Sequence, residues 1–187
     1  MIIYIALLRG INVGGKNIIK MADLKRTFET IGLSSVQTYI QSGNVLFKSN
    51  EEEEPLRKKI EQEIEKVFGF LVTVVLRTAA EIEWIVGHCP FTEEEVTEAE
   101  ASSKVESLYV SMLTHVPSQE RIQHLNPYTG ESDKYKIEGR EVFLLFHNSI
   151  RNSKLVNNLK KLDVPGTVRN FKTMNKLNEL AKGYILN

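Results

Sequence analysis

The sequence predicts an α+β protein of two tandem ferredoxin-like (βαββαβ, alpha-beta plait) subdomains with antiparallel sheets. Three observations carry this reading. The order strand, helix, hairpin, helix, strand is legible in the first half of the chain. The same order returns in shorter form after residue 107, as a repeat of pattern rather than identity. Gly43 and Gly139 each sit between two strand-like segments, and such hairpins demand antiparallel neighbours.

The elements follow in order. Ile2–Leu8 is a continuous apolar run with β-branched residues, the mark of a buried central strand. Met21, Leu24, Phe28 and Ile31 have helical spacing, and Gly32 stops that helix. Val36 to Gln41 alternates; Ser42-Gly43 turns the chain, and Asn44–Ser49 returns. Leu56, Ile60, Ile64 and Val67 mark a helix opened by the Glu51–Glu54 run and closed by Gly69. Leu71–Leu76 is a further strand. Thr78 with Glu81 is a capping-box pattern opening a short helix through Trp84 and Val86.

His88–Lys104 breaks the pattern with Pro90, an acidic run and Ala-Ser-Ser, which reads as a linker. The second half then offers a strand at Ser107–Leu113 and a short helix at Pro117 to Leu125. Strands at Ser132–Ile137 and Glu141–His147 flank Glu138-Gly139-Arg140. Leu155, Leu159 and Leu162 share a helix face, Val164–Val168 is a last strand, and a final helix carries Phe171, Met174, Leu177, Ala181 and Tyr184. The expected organisation is a first subdomain over 1–90, a linker over 91–106 and a second subdomain over 107–187 with the C-terminal helix.

Composition bounds the function. The chain has 187 residues, 24 Lys+Arg against 24 Asp+Glu, and 42% hydrophobic residues, which excludes a disordered or fibrous chain and argues against a DNA-coating protein. The charge is uneven: residues 1–100 carry a net −5 and residues 101–187 a net +5. Cys89 stands alone, so no internal disulfide can form, which suits a reducing compartment. Ile2–Leu8 is too short to span a bilayer and lacks the flanks of a signal peptide. These features predict a cytoplasmic protein without a membrane partner.

The segment LLRGINVGGKN, Leu7 to Asn17, is the most unusual. It leaves a central strand and carries three glycines. The Gly10, Gly15, Lys16 spacing matches the first half of a phosphate-binding P-loop, but Asn17 stands where that motif needs Ser or Thr for magnesium. Asp23, Asp133 and Asp163 are the only aspartates, and none closes a strand as a metal-holding Asp would. A P-loop triphosphatase is therefore rejected. A weaker reading survives: glycine backbone N–H groups could cradle a phosphate or carboxylate, with Arg9 and Lys16 supplying charge. The alternative is that the glycines only shape a tight loop. In a βαββαβ unit the β1–α1 loop, the hairpin turn and the α2–β4 loop share one end. Arg9, Asn12 and Lys16 should therefore meet Gln41, Ser42 and Asn44, unless the latter are a plain hairpin turn.

Other signals are weaker. Ile3 to Leu8 resembles the first strand of an RNA-recognition module with Tyr4 at the stacking position, but Phe47 alone answers it, so a core tyrosine is the better reading. His88, His115, His124 and His147 are scattered, and no metal-ligand or nucleophile motif is present. No cofactor is indicated. Arg169-Asn170 precedes a helix carrying Lys172 and Thr173, which caps that helix or receives an anion at its start.

LLRGINVGGKN, the hairpin TYIQSGNVLF and the late segment TVRNFKTMNKL together resemble the bacterial family known as Domain of Unknown Function 1697, over essentially the whole chain. The resemblance implies two ferredoxin-like subdomains and no particular activity. The family's motif residues correspond to Arg9, Gly10, Asn12, Gly14, Gly15, Asn17, Ser42, Gly43, Asn44, Arg169, Asn170 and Thr173. Phe171 stands where the family usually has Trp.

Three functions follow from the sequence. The first is binding of an anionic ligand, a nucleotide or another phosphorylated group, at the glycine-rich loop by Arg9, Gly10, Asn12, Gly14, Gly15, Lys16, Asn17 and the hairpin residues Gln41, Ser42, Gly43 and Asn44, with Arg169, Asn170 and Thr173 as further candidates. The second is an enzyme acting on such a ligand, by positioning and charge stabilisation. The third is RNA binding or self-association through sheet surfaces.

Overall fold

The computed structural model describes residues 1–185. It is a mixed α+β structure with two four-stranded antiparallel sheets, ordered β2-β3-β1-β4 and β6-β7-β5-β8. The first sheet comprises β1 (Ile2–Leu8), β2 (Ser34–Tyr39), β3 (Asn44–Ser49) and β4 (Val74–Thr78), with α1 (Met21–Thr30) and α2 (Glu53–Phe68) between them. α3 (Ala79–Gly87) and α4 (Glu93–Ser102) lead to β5 (Leu108–Leu113), α5 (Gln119–Gln123), β6 (Asp133–Glu138), β7 (Glu141–Phe146), α6 (Lys154–Asn158), β8 (Gly166–Asn170) and α7 (Phe171–Ile185). The chain divides into two compact units, one of Met1–Trp84 with the residues from Asn175 onward, the other of Ile85–Met174.

In the first unit, strand alternation sends Tyr4, Ala6, Leu8, Val45, Phe47, Val74 and Leu76 to one face, where they pack with Leu24 and Phe28 of α1 and Leu56, Ile60 and Ile64 of α2. Tyr4 is buried there, stacked on Phe47, and its hydroxyl donates to the Glu51 carbonyl. It has no surface on which a base could stack, which removes the RNA-recognition reading of that strand. The opposite face carries Ile5, Leu7, Leu46, Val75 and Arg77, all fully buried. The edge strand β2 is irregular: its register shifts between Ser34 and Gln37, Ser35 is left-handed, and the Tyr184 hydroxyl of α7 donates to the Ser35 carbonyl at 2.7 Å. Such devices blunt an edge that would otherwise pair with another chain.

In the second unit, Leu113, Val142, Leu144 and Phe146 pack against Leu125, Leu155 and Leu162. Its edge strand β6 is guarded by α4 and the chain before it: Lys134 pairs with Glu95, and Lys136 donates to the Pro90 carbonyl and lies over the Phe91 ring.

The two sheets repeat position by position. Ile5 pairs with Arg77 and Tyr4 with Thr78; Val110 pairs with Arg169 and Tyr109 with Asn170. Leu7 opposes Asn44 as Met112 opposes Glu141. The Leu8 and Arg9 N–H groups donate to the carbonyls of Gly43 and Thr73, as those of Leu113 and Thr114 donate to Arg140 and Pro165.

Several expected elements are corrected. Residues 91–106, read as a linker, carry α4 and belong to the second unit. A capping box between Thr92 and Glu95 starts α4, and Ala99 is buried. An acidic run hid the helix because it leaves little apolar periodicity. β4 starts at Val74 rather than Leu71, which is exposed; pairing with β1 begins only at the Leu8–Val74 pair. The helix through Leu155 and Leu162 is α6 followed by a 3-10 turn over Leu159–Leu162, closed by left-handed Asp163. β8 lies at Gly166–Asn170, two residues later than expected.

Candidate functional site

The β1–α1 loop is built on residues that tolerate left-handed backbone. Gly10, Asn12, Gly14, Gly15 and Asn17 all have positive φ, and all are Gly or Asn, the residue types that pay least for it. Val13 to Lys16 is a tight two-residue turn: the Lys16 N–H donates to the Val13 carbonyl at 3.1 Å, with Gly14 at φ +58° and Gly15 at +73°. Two successive left-handed residues define a type I′ turn. A cradle of the nest type alternates right- and left-handed residues instead. The glycines thus build a hairpin finger, continued by the Asn12 N–H to the Asn17 carbonyl, and Ile11 and Ile19, both buried, anchor its base.

Asn12 is the hub. Its Nδ2 donates to the carbonyls of Ile19 and Gln41, each at 2.9 Å, and its Oδ1 accepts from the Ile19 N–H. Asn17 Nδ2 donates to the Gly10 carbonyl. The β2–β3 turn is therefore held against the finger. Gly43 is indispensable there: φ is +83°, and a Cβ would stand 2.7 Å from Ile11 Cδ1. Asn44 is buried and donates to the Tyr39 carbonyl and Ser42 Oγ, so it shapes the turn. The Arg9 N–H bond to Thr73 brings in the α2–β4 loop.

The structure thus brings together Arg9, Gly10, Asn12, Gly14, Gly15, Lys16, Asn17, Gln41, Ser42, Gly43 and Asn44 at one end of the first sheet. Asn12, Asn17, Gly43 and Asn44 hold it in shape. Arg9, Lys16 and Lys20 are exposed, and among the described residues no hydrogen bond or ion pair engages their side chains. The segments 9–20, 40–44 and 69–73 contain no carboxylate.

The late candidates lie in the second unit. Arg169 is buried on β8, and its Nη1 donates to Thr167 Oγ1 at 2.8 Å and the Val168 carbonyl at 2.9 Å. Burial pushes its pKa down to about 10. Asn170 Oδ1 accepts from the Thr173 N–H, so Asn170 caps α7. Capping, the first of the two readings of this segment, is what Asn170 does, and the buried Arg169 is not an exposed cation at the helix start.

One feature escaped the sequence: a cleft of about 560 Å³ in the second unit, lined by Tyr128, Gly130, Asp133, Asn148, Ser149 and Ser153 among others. Ser153 Oγ donates to Asp133 Oδ2 at 2.6 Å and accepts from the Val156 N–H. The Ser-containing starts of two short helical turns were the only sequence signal for it. Among the described residues no group of three His, Cys, Asp or Glu side chains could hold a metal.

Residues 1–143 match the family described as Protein of unknown function (DUF1697). The solved structure of the conserved bacterial protein SP0830 from Streptococcus pneumoniae has a similar fold, with a TM-score of 0.72 and 24% identity over 96% of this chain and 98% of that one. No curated protein matches the chain significantly.

Proposed function

This chain belongs to the DUF1697 family of proteins of unknown function, and from that premise we propose that it binds a phosphate-bearing ligand at the loop end of its first unit. The observation that carries the reading is the placement of Arg9, Lys16 and Lys20, exposed and unengaged, around a rigid finger whose three neighbouring segments hold no acid. Three cations with no neighbouring acid in these segments make a local positive field that attracts an external anion. Lys16 sits on the turn itself, and Gln41 is tied to the finger through its carbonyl, leaving its amide group available to orient a ligand. The hydrogen bonds that close the finger lower the ordering cost of binding.

The fold part of the proposal is that both units are ferredoxin-like and descend from one duplicated βαββαβ unit. The matched pairs Ile5–Arg77 and Val110–Arg169, each arginine followed by the residue that caps a helix, support it. The protein is proposed to act in the cytoplasm, where its free Cys89 stays reduced.

The test is equilibrium dialysis against nucleotides, phosphosugars and inorganic phosphate, with the Arg9→Ala/Lys16→Ala double variant beside the parent chain. Binding of at least one phosphorylated compound, weakened tenfold or more in the variant, is expected. No binding by the parent, or equal binding by the variant, contradicts the reading.

A further inference from the structure

The loop end is apolar as well as cationic. Val13 is 65% exposed, Ile18 60%, Ile40 46% and Leu71 77%. These side chains come from three separate loops. The same hydrogen bonds that build the tip hold the three loops at one end of the unit. Val13, Ile18 and Ile40 are each one residue from Asn12, Ile19 and Gln41, the three residues joined by the Asn12 amide. Leu71 lies two residues before Thr73, which accepts from Arg9. Four large aliphatic side chains in water at one end of a unit are costly unless something covers them.

We propose that this end docks on an anionic lipid bilayer surface, the phosphates it binds being those of lipid headgroups; the inference rests on the phosphate reading above. Charge complementarity selects the occupant: the three tip segments carry Arg9, Lys16 and Lys20 and no acid. Small ligands sit in concave sites that bury most of their surface. Side chains this exposed, spread over three loops around a projecting turn, instead suit an extended partner. A single-stranded nucleic acid would call for aromatic platforms, whereas the exposed apolar residues here are aliphatic. An interfacial lipid layer takes aliphatic side chains at the acyl boundary and cations among the headgroups. No helix among the described residues is long and apolar enough to cross a membrane, and a docking of this kind needs none; a peripheral lipid partner departs from the sequence expectation of no membrane partner, which rests on the lack of a spanning segment.

The experiment is co-sedimentation of the full chain with phosphatidylcholine vesicles, alone or with about one third phosphatidylglycerol, at low and high salt, beside dialysis against inorganic phosphate. The expected result is sedimentation with the anionic vesicles only, weakened by salt. Each of Arg9→Ala and Lys16→Ala is expected to weaken it by about fivefold. Val13→Ser/Ile18→Ser, which removes apolar surface without changing charge, should weaken sedimentation tenfold or more while phosphate binding and the melting temperature stay near those of the parent, since both positions are exposed. Phosphate binding without vesicle binding overturns the lipid inference and leaves the phosphate reading standing. Failure of both overturns both. Equal sedimentation with neutral vesicles, or by the Ser variant, overturns the lipid inference.

Discussion

Asn12 Nδ2 donates to the Gln41 carbonyl at 2.9 Å, joining two loops 29 residues apart. With its two bonds to Ile19, this one amide fixes both the finger and its partner turn. Asn12→Ala should cost about 2–3 kcal/mol, because it leaves the partner groups unpaired and puts Ala at φ +55°. Asn12→Gly keeps the backbone permissive and should cost about 1 kcal/mol less. Urea unfolding of the two variants checks the order.

Gly43 and Gly14 separate two reasons for glycine. At Gly43 an added Cβ meets Ile11 Cδ1 at 2.7 Å and Leu8 Cβ at 2.9 Å, and φ is +83°. At Gly14 φ is +58° and the space is open. Gly43→Ala should therefore destabilise by roughly 2 kcal/mol or more, and Gly14→Ala by about 1 kcal/mol. Gly14→Asn should be close to neutral, since Asn-Gly suits a type I′ turn. Thermal melts of the three variants distinguish a tight finger from a loop with room to adjust.

Thr92→Ala tests α4. The Thr92 hydroxyl accepts from the Glu95 N–H, and the Glu95 carboxylate accepts from the Thr92 N–H. Losing the cap should cost about 1 kcal/mol and raise hydrogen exchange across residues 93–102. An unchanged exchange pattern would mean that the segment is not held as a helix.

Cys89 reports on its own surroundings. Burial pushes its thiol pKa up, partly offset by a hydrogen bond with the Phe91 backbone and by the Lys136 cation, while the Glu95 carboxylate adds to the rise. Less thiolate is then present at neutral pH than for a free cysteine. Reaction with a disulfide reagent should accelerate only at a pH above the range of an unhindered thiol. Lys136→Gln should move that inflection further up, because it removes the favourable cation.

Periodicity made most strands and both long helices legible, because a buried face leaves a mark at every second, third or fourth residue. α4 left none, since its only buried residue is Ala99 and its surface is acidic. The tip was legible for a different reason. Only Gly and Asn settle in left-handed backbone, so the spacing of Gly10, Asn12, Gly14, Gly15 and Asn17 announced an unusual loop. Its form as a type I′ finger was not legible, because glycine permits a nest equally well. Arg169 read as a surface cation because an isolated arginine carries no sign of burial. Its place opposite Val110, matching Arg77 opposite Ile5, appears only once the strands are paired.

The most direct test of the phosphate site is a titration of the ¹⁵N-labelled chain with inorganic phosphate, followed by amide chemical shifts. The account predicts saturable shifts concentrated in residues 9–20 and 40–44, lost in Arg9→Ala/Lys16→Ala. Shifts confined to the second unit, or no saturable shifts at all, would contradict it.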